Sequence, residues 1–175
     1  MFLLAAILLS LERIAYICVW RYPEFFRRFC ERAPGGFLGK PVTALKRLFY
    51  FFKIIQLSTF LAWCYHFGNG SLIVVRESLL VPVAAGGTLV LIGQTLNFAV
   101  FYRLGAVGVF YGNRFGHQLP WCEGFPFSLF DHPQYVGALI SIWGFFLAMR
   151  YPYPDWYLLP LLETLYYGVG ARFEQ

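Results

Sequence analysis

The residues best placed to do chemistry lie in the second half of this chain. His132 stands in the run Asp131-His132-Pro133-Gln134-Tyr135-Val136-Gly137. Proline disfavours helical backbone in the residue before it and is tolerated in the first turn of a helix. His132 is therefore expected to be extended, at a helix start whose free N–H groups and dipole suit a carboxylate. Read alone, such a histidine more often caps a helix or packs at an interface. The chain has three histidines and no acidic pair near His132, so no metal site is expected.

A second feature precedes it. Gly105, Gly108, Gly112 and Gly116 are spaced by three, four and four residues and on one helix would share a side. Two readings stay open: close packing of small residues against a neighbouring helix, or a bare face against which a cofactor lies. Because no strand pattern comes before it, the series is not a dinucleotide-binding loop. Glu163 and Glu174 are eleven residues apart, close to three helical turns. Both face one way if the last helix continues that far. A carboxylate such as Glu163 inside an apolar run must face protein or a wet cavity. For Glu163 two readings stay open, a structural pair with a partner such as Lys53 or a role in the chemistry, and Glu12 and Arg13 are expected to satisfy each other or neighbouring helices.

These groups sit in a membrane context. Of the 175 residues, 59% are hydrophobic and 13% charged, against about 45–50% and about 25% in soluble domains. Mean hydropathy is +0.58. Apolar runs cover about 1–20, 48–67, 79–102, 135–149 and 156–171. The third, of about 24 residues, is long enough to cross a hydrocarbon core of about 30 Å. The fold expected is an all-α integral membrane protein with three to four crossing helices. The first run carries Glu12 and Arg13 and either crosses or dips in and returns. It lacks a basic start and a cleavage site, so it is read as retained.

Charge orients the spans. Arg21, Arg27, Arg28, Arg32, Lys40, Lys46 and Arg47 crowd the first connection, which the positive-inside rule makes cytoplasmic. Lying between two apolar runs, this cluster reads as a lipid-facing rather than a nucleic-acid surface. The connection at 68–78, with Arg76 and Glu77, then lies on the far side, and 103–133 and the C-terminus return to the cytoplasmic side. The four cysteines show no metal-like spacing and read as reduced packing residues.

The stretch Leu104 to Gly116, then Gly124-Phe125-Pro126-Phe127, then Asp131 to Gly137, then a last helix ending Arg172-Phe173-Glu174, resembles the phospholipid methyltransferase family. Leu11-Glu12-Arg13 and Val19-Trp20-Arg21-Tyr22-Pro23 are similar to its plant and fungal members. The resemblance implies one membrane-embedded methyltransferase domain over 1–175, in the endoplasmic reticulum membrane. It implies S-adenosylmethionine as methyl donor. It also implies a phospholipid amine as substrate, with phosphatidyl-N-methylethanolamine and its dimethyl form converted to phosphatidylcholine. The family's cofactor motifs fall on Leu91-Ile92-Gly93, where only Gly93 keeps the G-x-G pattern, and on Glu174-Gln175, where only Glu174 keeps a glutamate pair. Family members usually continue into a polar tail beyond this point.

On this reading Leu91, Ile92, Gly93, Gly108, Gly112, Glu174 and Gln175 are the cofactor candidates. Tyr111, Phe115, Trp121 and Tyr135 offer aromatic faces to a sulfonium and an amine. His132 is the candidate base for the substrate nitrogen, with Tyr135 and Glu163 behind it. Two alternatives remain. One is an isoprenylcysteine carboxyl methyltransferase-like enzyme, which shares a His-Pro-x-Tyr element. The other is a non-catalytic lipid-binding tetraspan, which leaves the Phe125–Phe127 and Asp131–Tyr135 elements unexplained.

Overall fold

The computed structural model describes residues 1–32, 35–72, 80–119 and 122–174. Among them every regular element is helical and no strand occurs. Helix α1 spans Phe2–Arg21, α2 Pro23–Glu31, α3 Pro41–Phe67, α4 Leu80–Val109, α5 Pro133–Arg150 and α6 Leu158–Phe173. Three of these, α1, α3 and α4, are long and apolar enough to cross a membrane. The first run does not dip and return: its 20 residues form one unbroken helix, about 30 Å long.

Local chemistry sets where the helices begin. Pro23, Pro41 and Pro133 each stand in a first turn, where the missing N–H costs nothing. Pro41 starts α3 well before the apolar run at residue 48. At Tyr22 the backbone leaves the helical region (φ −127°, ψ 58°), which ends α1 and starts the nine-residue α2. Phe26 and Cys30 of α2, four residues apart, turn into the body, while Phe25, Arg27 and Arg28 are exposed. This is the pattern of a helix lying in the headgroup plane. The outer faces of the spans are apolar: Leu3, Ile7, Ile54, Leu91, Phe98 and Leu165 are all exposed.

The tightest joint is between α4 and α5, which run antiparallel. A Cβ on Gly86 would lie 2.5 Å from the Gly144 carbonyl oxygen, and one on Gly144 2.6 Å from that of Gly86. Seven residues on, Gly93 meets Gly137 in the same way. Backbone touches backbone at both points, the close approach that small residues permit between membrane helices. The series from Gly105 to Gly116 does not do this. Gly105 breaks the helix at φ 60°, Gly112 lies in a 3₁₀ turn, and Gly116 is left-handed at φ 86°. No neighbouring helix lies against Gly105 or Gly116, and Gly108 and Gly112 abut Leu104 and Val107 of their own segment. The expected single glycine face is therefore absent, because the segment turns where a helix would have continued. The small-residue packing face lies at Gly86, Gly93, Gly137 and Gly144.

At one end of the bundle, Arg150 clamps the α5–α6 turn. It bonds both carboxylate oxygens of Asp155 (2.9 and 2.6 Å) and the Phe67 carbonyl at the end of α3. Trp63 adds a bond to Asp155 at 2.9 Å. Thus the ends of α3 and α5 share one side, and Tyr111, Tyr135 and Glu174 share the other, as the charge-based topology requires. Arg76 and Glu77 lie outside the described residues.

Candidate active site

A cavity of about 770 Å³ opens inside the bundle, bounded by α1, α3, α4, α5 and the end of α6. That volume is typical of a site for a cofactor-sized ligand. At the end of the cavity away from the Arg150 clamp, α6 stops, and Glu174 follows as the first non-helical residue. Glu174 Oε1 accepts hydrogen bonds from the hydroxyls of Tyr111 (2.6 Å) and Tyr135 (2.5 Å). The three groups come from different elements, so the carboxylate is fixed by the fold rather than by its own helix. Tyr111 adopts a left-handed conformation (φ 56°, ψ 34°), uncommon for a bulky residue. Ring contacts with Tyr16 and Trp20 hold it there, and Arg114 lies over Trp20 at 3.9 Å.

His132 and Tyr135 also face the cavity, their rings stacked at 5.7 Å. The backbone at His132 is non-helical (φ −124°), as the following proline dictates. Further in, Arg13 lies 3.8 Å from the Tyr167 ring centre and 5.5 Å from that of Tyr135. It pairs with Glu12 at 3.3 Å, and Lys53 pairs with the same carboxylate at 3.1 Å. Glu12 and Arg13 thus satisfy each other as expected, with Lys53 joining them.

The side between α3 and α4 is different. Tyr50 on α3 and Phe98 on α4 line the cavity and are also exposed on the lipid-facing surface. The polar Gln94 lies on the same seam and donates to Ser141 Oγ at 2.9 Å.

The sequence candidates therefore divide. His132, Tyr135, Gly108 and Glu174 line the cavity, as does the aromatic candidate Tyr111. Glu163 is buried behind it, accepting from Gln56 Nε2 at 2.6 Å. Its direct partner is Gln56 rather than Lys53, which turns to Glu12 and to Gln56 Oε1. Leu91 and Ile92 point outward, 70% and 48% exposed, and Gly93 is occupied by Gly137 of α5. Gly112 is buried in its turn, and Phe115 packs on Phe26. Gln175 and Trp121 lie outside the described residues. Sequence reasoning passed over Tyr16, Tyr167 and Gln56. Tyr16 and Tyr167 have no spacing that sets them apart from the many other aromatics, but Gln56 inside an apolar run was a visible signal.

The profile of the phospholipid methyltransferase family matches residues 81–175. The chain is 33% identical over 140 residues to a phosphatidyl-N-methylethanolamine N-methyltransferase of Arabidopsis thaliana, covering 80% of this chain and 75% of that one. It is 34% identical over 84 residues to the protein of that name from Schizosaccharomyces pombe, covering 47% of this chain and 42% of the other. It is 33% identical over 102 residues to the human phosphatidylethanolamine N-methyltransferase, covering 57% and 50%. No solved structure matches it. The profile takes in most of the cavity's α4, α5 and α6 wall, together with both tyrosines and Glu174, and on these grounds the chain belongs to the phospholipid methyltransferase family.

Proposed function

We propose that this chain transfers methyl groups from S-adenosylmethionine to the nitrogen of phosphatidyl-N-methylethanolamine and of its dimethyl form, giving phosphatidylcholine. The single observation that carries the reading is the cavity itself. It joins a tyrosine-held carboxylate at the water end to a lipid-facing seam between α3 and α4. A soluble donor and a bilayer-borne acceptor need such a pair of approaches. The names of the relatives support the choice of substrate. The whole of 1–175 acts as one domain in this proposal, in the endoplasmic reticulum membrane.

The residues present fit the donor. Glu174 keeps Oε2 for an amino group or ribose hydroxyls, since both tyrosines bond Oε1. The rings of Tyr111 and Tyr135 give a cationic group polarisable faces. When bound, S-adenosylmethionine supplies a methyl group on a positively charged sulfur. Glu174 and the tyrosines orient it, and the apolar walls of α4 and α5 exclude water. A protonated substrate amine has no lone pair for attack. His132, on the cavity wall, takes that proton at the cytoplasmic end. Tyr135 fixes the imidazole by stacking against it.

Purified protein supplied with methyl-labelled S-adenosylmethionine and defined lipids tests the proposal. Label in phosphatidylcholine is the expected result. Label in a prenyl-peptide carboxyl group would establish the isoprenylcysteine reading instead. With no product from either substrate, the lipid-binding tetraspan would remain.

A further inference from the structure

Two donor atoms of cavity-lining α1 residues, and the acceptor Asn97 Oδ1 on α4, have no hydrogen-bond partner among the described residues. Arg13 is 6% exposed and Tyr16 8%, both on α1, and both line the cavity. Yet neither Arg13 Nε nor the Tyr16 hydroxyl makes a hydrogen bond. Native proteins rarely leave such donors unmet, because burial strips them of water. Nor does the arginine drift: its guanidinium is held against the Tyr167 ring and tied to Glu12.

The cations stand on the cavity wall. Glu12 is shared between Arg13 and Lys53, so two cations meet one carboxylate there. The second carboxylate of the cluster, Glu163, lies behind the wall and accepts from the neutral amide of Gln56. Two cations thus face two carboxylates in the cluster as a whole, but only one of those carboxylates lines the cavity. The other end of the cavity carries Glu174, with Tyr135 between the two ends.

We infer that Arg13 and Tyr16, with Lys53 beside them, form an oxyanion-binding subsite at the inner end of the cavity. Arg13 Nε–H and the Tyr16 hydroxyl donate to the oxyanion, which lies beside the Arg13 guanidinium. The inference rests on the methyltransferase reading above, under which two ligands bring an oxyanion of this kind. One is the carboxylate of the donor's methionyl group, and the other is the phosphodiester of the phospholipid. Neither α1 nor α3 falls within residues 81–175, so the subsite is built by the part of the chain outside the family match.

The test uses the full chain in detergent micelles with three variants: Arg13→Gln, Arg13→Lys and Tyr16→Phe. Affinity is measured for S-adenosylhomocysteine and for methylthioadenosine, which lacks the amino-acid group. KM is measured for the phospholipid. If the donor carboxylate is the ligand, Arg13→Gln weakens S-adenosylhomocysteine by roughly 10- to 100-fold and leaves methylthioadenosine unchanged. If the phosphodiester is the ligand, the phospholipid KM rises by a similar factor while S-adenosylhomocysteine binds normally. In either case Tyr16→Phe shows the same pattern more weakly, and Arg13→Lys restores part of the loss. Should Arg13→Gln not fold, Tyr16→Phe, which loses one oxygen, decides. Wild-type values for every ligand in a folded Tyr16→Phe and Arg13→Gln would overturn the subsite, as would an equal loss for both adenosine ligands. If the parent protein itself neither binds S-adenosylhomocysteine nor methylates phospholipid, the methyltransferase reading fails first and the subsite with it.

Discussion

Tyr135 at the start of α5 donates its hydroxyl to Glu174 Oε1, just past the end of α6, at 2.5 Å. The bond closes the open end of the α5–α6 hairpin as Arg150 and Asp155 close its turn. It also presents Glu174 to the cavity, with both tyrosines on the same oxygen, Oε1. Replacing Glu174 by Gln keeps the shape and an acceptor for both tyrosines but removes the charge. Charged hydrogen bonds contribute about 1.5–3 kcal/mol, so S-adenosylmethionine affinity should fall by roughly one to two orders of magnitude. Calorimetric titration of the folded variant checks this, and parent-like affinity would remove Glu174 from the site.

His132→Gln should lower kcat by roughly 10²–10⁴-fold, the usual contribution of a positioned base. Binding of S-adenosylhomocysteine should stay close to the parent's, since the hydroxyls of Tyr111 and Tyr135, not His132, hold Glu174. Single-turnover methylation, measured beside equilibrium binding of S-adenosylhomocysteine, separates the two effects. A variant with parent-like turnover would show that the proton leaves by another group.

Adjacent glycines on α4 make a matched pair for testing the helix joint. A Cβ at Gly86 meets α5 backbone at 2.5 Å, whereas nothing lies within 4 Å of one at Gly87. Gly86→Ala should therefore destabilise the fold by about 1–3 kcal/mol through overpacking. Gly87→Ala should be neutral or stabilising, by up to about 1 kcal/mol from helix propensity. Thermal unfolding in one detergent compares them, and equal shifts would mean that α4 and α5 are not in backbone contact.

Asp155 gives the fold a dependence on pH. Burial alone raises its carboxyl, but hydrogen bonds from Arg150 and Trp63 and the Arg150 charge outweigh that and hold it below the usual carboxylate value. A carboxyl with a depressed folded-state pKa contributes stability that is complete above its unfolded value and fades as pH falls through the folded one. Unfolding temperature should thus decline from near pH 4 downward, and Asp155→Asn should flatten that part of the curve. The variant should also lose about 1.5–3 kcal/mol at neutral pH. An unchanged acid limb in the variant would assign the effect to other carboxylates.

The spans were legible because run length and backbone satisfaction in lipid leave few choices. The runs at 48–67, 79–102 and 156–171 fall within or nearly on α3, α4 and α6. Helix α2 was not foreseen, although Pro23 and the four-residue spacing of Phe26 and Cys30 marked it, because charge dominated the reading of that loop. The glycine spacing from Gly105 to Gly116 misled for a physical reason: glycine serves close packing and left-handed turns alike. Here three of those positions lie where the backbone bends or turns. The two glycine pairs that hold α4 to α5 are seven residues apart on each helix, and only the antiparallel pairing aligns them. Glu174 was readable from the family's terminal motif, but the two tyrosines that hold it come from Tyr111 and Tyr135, which no single segment brings together.

The doubled glycine contact has a mechanical consequence. Where backbone rests on backbone there is no side chain to swing aside, so α4 and α5 move as one rigid plank. A two-tailed lipid cannot pass through that wall. The α3–α4 seam is closed instead by rotatable groups, Tyr50 and Phe98, which line the cavity and are exposed on the outside, and on the proposed function it is there that a lipid would enter. On that reading the α4–α5 plank is the fixed side of the entrance.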